Sequence, residues 1–205
     1  MNEIVYLIDQ AERYFEKKQY EIGSGYYLDA WITLKEHMLE NDITKSEDIF
    51  FASIKDTDFV KKWVNDFYIY ANEENQFKTN IEILESMLNF LELSNEEFII
   101  KNRALCDSYY HLKEYDISDK LYKRLIEKYP NVMEYYYGYG LTLYDREQFM
   151  NAITILEEGI NKSKDLHDMY IQSAFEVILQ IYENLNDIEN IEIIKEKINK
   201  LRNLS

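Results

Sequence analysis

Two stretches of the chain repeat one another at a spacing of 34 residues, and this recurrence limits the fold more than any other feature. Asn102 to Pro130 reads NRALCDSYYHLKEYDISDKLYKRLIEKYP, and Tyr136 to Ser163 reads YYGYGLTLYDREQFMNAITILEEGINKS. With Tyr115 laid on Phe149, Cys106 falls on Gly140, Tyr109 on Leu143, Ser118 on Ala152, Tyr122 on Leu156 and Leu125 on Gly159. Small residues recur at Cys106 and Gly140 and at Ser118 and Ala152, and large ones at Tyr109 and Leu143 and at Tyr122 and Leu156. A unit of this length cannot bury its apolar face alone, so neighbouring units must stack.

The units are helical. Five glycines and one proline among 205 residues leave little room for tight-turned β-structure. Leu166, Met169, Tyr170, Ala174, Val177, Ile178, Ile181, Tyr182 and Leu185 recur at steps of three and four, which places them on one helix face. Ile188, Ile191, Ile194, Ile198 and Leu201 do the same in the final segment. Thr44-Lys45-Ser46-Glu47 and Ser94-Asn95-Glu96-Glu97 read as capping boxes, in which a hydroxyl and a later glutamate satisfy orphan amides at a helix start. No run alternates like a strand, so the expected class is all-α.

The pattern resembles the tetratricopeptide repeat, whose units are helix pairs of this length. Pro130 matches that repeat's terminal proline, which ends the second helix. Ala11, Tyr14, Tyr20, Gly23, Tyr27 and Ala30 form a weaker copy. Phe67, Ala71, Phe77, Leu84 and Met87 form another, as do Phe175, Ile178, Tyr182, Ile188 and Ile198. Successive copies lie 57, 38, 34 and 39 residues apart, and the first excess leaves room for an extra helix at roughly Lys45 to Ile54. The resemblance implies a tetratricopeptide-like right-handed α-solenoid of antiparallel helix pairs, about eleven helices in one domain over 1–205. Irregular units would occupy 4–94, the best repeats 99–132 and 133–166, and a C-terminal pair with a capping helix 167–203. Phe59, Trp63, Asp66 and Phe67, then Asn102-Arg103-Ala104-Leu105, then Tyr129-Pro130, also resemble a group of bacterial tetratricopeptide-like proteins. Many members of that group end in a SEC-C zinc motif. This chain has no C-terminal cysteine cluster, so that zinc site does not carry over.

The charge balance narrows the partners. Twenty-three basic against 39 acidic residues give a net charge of −16, which repels phosphate backbones and anionic lipid. Nucleic-acid and membrane binding are therefore not expected, and a basic or mixed-charge protein or peptide is easier to accommodate. One cysteine excludes a disulfide framework and any zinc site built from several thiolates. No stretch approaches the roughly 18 apolar residues of a membrane span, and Met1 to Ile8 does not form a signal peptide. The expected location is cytoplasmic, and abundant isoleucine and asparagine point to a bacterial source.

The repeat register assigns an inner face to the first helix of each unit. Asn65, Ile69 and Asn72 belong to it, then Arg103, Asp107, Tyr110 and His111, then Tyr137, Leu141 and Tyr144, and finally Glu176 and Gln180. Aromatics there supply area and amides satisfy a peptide backbone, so the face suits a partner peptide. The alternative is that several of these tyrosines merely pack between helices. A chaperone-tail clamp would need an array of cations, and Asp107 and Glu176 stand where added positive charge is wanted.

Catalytic signals are sparse. Asp107 and His111 lie four apart on one helix and could form half a metal site or an oriented base, but no third ligand is evident. Cys106 holds a small-residue position and reads as a packing thiol, and His37 and His167 as surface residues. Gly138-Tyr139-Gly140 serves close helix contact rather than a phosphate. Trp31 and Trp63 are expected to fill core. The expected function is a non-catalytic protein-interaction scaffold without cofactor or metal, monomeric or a weak homodimer. The alternatives are a homo-oligomer built on an end or convex face and a metal or catalytic protein using Asp107 and His111.

Overall fold

A computed structural model of the protein describes the backbone of residues 2–73, 75–163 and 168–202, and the side chains of these except 70–73 and 202. Leu166 and His167 lie outside the described residues, as does the side chain of Asn72. Among the described residues there are ten α-helices and no strand. They are α1 (Glu3–Glu16), α2 (Tyr20–Glu40), α3 (Ile54–Glu73), α4 (Phe77–Phe90), α5 (Asn95–His111), α6 (Tyr115–Lys128), α7 (Met133–Asp145), α8 (Phe149–Lys162), α9 (Met169–Asn184) and α10 (Ile188–Arg202). The fold is all-α and built from tetratricopeptide-like helix pairs.

The repeat is written in the backbone. Lys18, Asn75, Lys113, Glu147 and Asn186 each adopt a left-handed conformation, with φ between 57° and 63°, in the turn that separates the two helices of a pair. They stand 57, 38, 34 and 39 residues apart, the same intervals as the sequence copies. In the turn after α7, the Glu147 amide donates to the Tyr144 carbonyl (2.8 Å) and the Gln148 amide to that of Leu143 (2.9 Å). This pairing satisfies carbonyls that a helix end leaves open.

The extra helix expected near Lys45 to Ile54 is absent. A single 3₁₀ turn, Ser46–Asp48, takes its place, and Thr44 caps no helix. The reason is tertiary. Ile43 and Ile49 are buried, the Glu92 amide donates to the Thr44 carbonyl (2.8 Å), and the Ser46 hydroxyl donates to Glu97 Oε1 (3.0 Å). Contacts about fifty residues away therefore outcompete the local capping signal. The Ser94 capping box does form, with Ser94 Oγ accepting from the Glu97 amide (3.2 Å) and Glu97 Oε2 from the Ser94 amide (2.9 Å).

The helices gather into two compact units, 1–113 and 114–205. In the first, α1 packs on α2 and α3, α4 on α2, α3 and α5, and α3 on α5. Its core joins Tyr27, Trp31, Leu34 and Met38 of α2 to Val60, Trp63, Val64 and Phe67 of α3 and Ile83, Leu84 and Met87 of α4. Tyr27 meets Trp63 edge to face at 5.5 Å. Both tryptophans are thus core residues.

In the second unit, α7 packs on α6, α8 and α9, α8 on α9, and α9 on α10. Helix α7 holds its neighbours close because it lacks side chains where they press. A Cβ on Gly138 would lie 2.5 Å from the Tyr122 hydroxyl, and one on Gly140 2.5 Å from Leu156 Cδ2. From the other side, a Cβ on Gly159 of α8 would lie 2.5 Å from Tyr136 Cβ. Helix α10 covers α9 with Ile191, Ile194 and Ile198, while Ile188 of the same stripe stays 69% exposed.

Candidate functional site

In the first unit, a cleft of about 480 Å³ opens between α3, the Ser46–Asp48 turn and the start of α5. Ser46, Glu47, Lys61, Asn65, Asp66, Tyr68, Glu97 and Lys101 are among its walls. Packing of α3 on α5 brings these groups together, with Lys61 Nζ donating to the Glu47 carbonyl across the top. Lys101 forms the floor and is only 1% exposed. Burial drives its pKa down, and the carboxylates of Glu97 and Asp66 only partly oppose that shift. Burial alone would raise the Glu97 carboxyl. The amide and hydroxyl of Ser94, the Ser46 hydroxyl and the Lys101 charge outweigh it and hold Glu97 below the usual carboxylate range.

The register residues of this unit sit at the surface of α3 and α5. Asn65 is exposed and lines the cleft, and Ile69 is 44% exposed. Arg103 Nε lies 3.6 Å from Asp107 Oδ2, so Asp107 pairs along the helix with a cation. The His111 ring stacks on Phe77 at 4.6 Å and meets Tyr110 edge to face at 5.3 Å. In the second unit, Tyr137 leans on Tyr170 (5.3 Å), and Tyr144 packs on Phe149 (5.8 Å) while its oxygen accepts from Asn184 Nδ2 (3.4 Å). Leu141 is half-buried, Glu176 and Gln180 are exposed, and Glu176 accepts from Gln172 Nε2 (2.9 Å). Several of these tyrosines therefore do double duty, bracing neighbouring helices while part of each ring faces solvent.

Other groups are accounted for by packing. Cys106 is 1% exposed, and burial pushes its thiol well above the ordinary value, against any nucleophilic role. His37 differs from the expected surface histidine. It lies over Phe51 (4.8 Å), donates from Nε2 to the Phe50 carbonyl (3.3 Å) and accepts at Nδ1 from Asn41 Nδ2 (3.4 Å), which ties down the segment before α3. Among the described residues, no group of three or more histidine, cysteine, aspartate or glutamate side chains is placed to hold a metal ion. No helix among them is long and apolar enough to cross a membrane.

A solved structure shares the fold. The chain is similar to BtubC (BKLC) from P. vanneervenii, with 12% sequence identity, a TM-score of 0.54, and coverage of 100% of this chain and 92% of that one. The likeness is one of fold. It also resembles MamA of AMB-1, at 15% identity and a TM-score of 0.47, over 98% of this chain and 93% of that one. No family model and no curated protein matches the sequence.

Of the residues lining the cleft, sequence reasoning named only Asn65 as a site residue, and Lys101 is the most informative of those it missed. The signal was present: Lys101, Ala104, Leu105 and Ser108 follow a spacing of 0, 3, 4 and 7, and all four are buried. A lysine on the core stripe of a helix is anomalous, because a buried charge is costly without a partner.

Proposed function

We propose that the protein is a non-catalytic interaction scaffold that holds a protein or peptide on the exposed faces of its first-of-pair helices. The observation that supports this reading is the division of those helices into two kinds of surface. On α7, Tyr135, Tyr136 and Tyr139 are fully or nearly buried, whereas Tyr137, Leu141 and Tyr144 keep partial exposure. On α3 and α5, core residues such as Phe67 and Leu105 alternate in the same way with Asn65, Ile69, Arg103, Asp107, Tyr110 and His111. Half-exposed tyrosines held against neighbours lose little side-chain freedom on binding, and the adjacent amides and charges give direction. The excess of carboxylates favours a basic or mixed-charge partner and would speed its encounter at low salt.

The test is affinity capture from the native host with the wild type and with a variant carrying Arg103→Glu and Tyr137→Ala. A partner that binds these faces is retained by the wild type and lost by the variant, while the melting temperature changes little. Equal recovery of every retained protein by the two baits would refute the assignment of these faces.

A further inference from the structure

Three polar groups on the cleft of the first unit make no hydrogen bond or ion pair to a described residue, although the charges of Glu97 and Asp66 reach Lys101 through space. Lys101 is 1% exposed, and no hydrogen bond or ion pair to a described residue holds its ammonium. Asp66 and Asn65, on the α3 wall, likewise have no hydrogen bond or ion pair to a described residue. Of the other lining groups, Glu97 and Lys61 are engaged, while the Glu47 and Glu96 carboxylates are exposed at the rim. Both Glu97 oxygens accept bonds, from Ser46 and Ser94, and Lys61 is drawn to the Glu47 carbonyl. Of the three, Lys101 alone is buried, and buried polar groups nearly always find hydrogen-bond partners. The open position beside Lys101 calls for an anionic acceptor, and the one beside Asp66 for a cationic donor.

The charge around them selects the ligand further. Two ammonium groups, of Lys61 and Lys101, stand among four carboxylates, of Glu47, Asp66, Glu96 and Glu97. A phosphate would meet net repulsion, whereas one carboxylate accompanied by positive charge would not. The volume of about 480 Å³ falls within the range of small-ligand sites, roughly 300–1,000 Å³. A residue inside a peptide chain lacks both terminal charges. We propose that the cleft binds a free basic α-amino acid, with its carboxylate on Lys101, its α-ammonium on Asp66 and its side-chain cation among the rim carboxylates Glu47 and Glu96. This site stands whether or not the helix faces hold a protein partner.

Calorimetric titration of the full chain with L-arginine tests it, alongside L-argininamide, which lacks the carboxylate, N-acetyl-L-arginine, which lacks the α-ammonium, and inorganic phosphate. L-arginine should bind, and either blocked form should bind about 10- to 100-fold more weakly, the usual loss for a charge-assisted hydrogen bond. Lys101→Met and Asp66→Asn should each weaken L-arginine by a similar factor, with folding checked by circular dichroism. No heat and no thermal shift with millimolar L-arginine would overturn the proposal. So would unchanged affinity in Lys101→Met, or phosphate binding as tightly as L-arginine, which would make the cleft a simple anion site.

Discussion

Two glycines in this chain should respond in opposite directions to the same substitution. Gly159 of α8 faces α7, and an added Cβ would lie 2.5 Å from Tyr136 Cβ, 2.6 Å from its Cγ and 2.8 Å from Met133 Sδ. Carbon atoms pack best at about 3.5–4.0 Å, so the overlap is about 1 Å. Tyr136 Cβ is bonded directly to the backbone and cannot rotate away, so α7 and α8 must separate. A gap of about 0.5–1 Å forfeits a quarter to a half of each dispersion contact along the seam. That seam includes buried Met133, Tyr136, Ala152 and Leu156. Overpacking costs about 1–3 kcal/mol, and a clash that only backbone movement relieves falls in the upper part of that range, about 2–3 kcal/mol, while replacing a helical glycine by alanine returns about 1 kcal/mol of helix propensity. Gly159→Ala should therefore destabilise by about 1–2 kcal/mol and lower the melting temperature by about 2–8 °C. Gly25 in α2 has nothing within 4 Å of the same position. Gly25→Ala should stabilise by about 0.5–1 kcal/mol, because only the propensity gain applies. Thermal and urea denaturation followed by far-ultraviolet circular dichroism measure both. A Gly159→Ala protein as stable as the wild type would show that the two helices are not in such close contact.

Lys101→Met should stabilise the protein by about 1 kcal/mol or more near neutral pH, since a buried cation is replaced by an apolar side chain of similar length. The lysine pKa is lowered from 10.5 in the folded state, so below that lowered value both states are charged and the full penalty applies. As pH rises towards 10.5 the folded state releases its proton first, and the advantage of Lys101→Met should shrink; urea titrations at several pH values would reveal a gap of the wrong sign or slope. Lys18→Gly combined with Glu147→Gly should raise stability by about 1 kcal/mol. Left-handed backbone costs a non-glycine residue about 1–2 kcal/mol, and the greater freedom of glycine in the unfolded chain offsets part of the gain. A fall in melting temperature for that pair would contradict left-handed turns at these positions.

The candidate faces were legible as a register but not as contacts. The repeat placed Tyr137 and Tyr144 on one side of α7, and that side is the one left partly exposed. Their braces, Tyr170 and Asn184, come from α9, and no spacing rule within α7 names them. The pairing of Asp107 shows the same limit. Both Arg103 and His111 lie four residues from it, and side-chain packing of His111 on Phe77 leaves Arg103 as its ionic neighbour. Thr44 to Glu47 carried a sound local capping signal, which Ile43, Ile49 and the Ser46–Glu97 bond overrode.

Helix class, the positions of the turns and the small-for-large exchange between repeats follow from the sequence alone, because each depends on residues within one or two turns of helix or on a period that repeats them. Even the irregular intervals of the degenerate copies reappear unchanged in the left-handed turn residues. The sequence sets Lys101 on the core stripe of α5, but tertiary structure alone decided that it shares a cleft with Asp66 and Asn65 of α3 and that Ser46 reaches Glu97 across 51 positions. Burial and charge proximity are properties of the surfaces that meet, and a chain pattern read one helix at a time does not contain them.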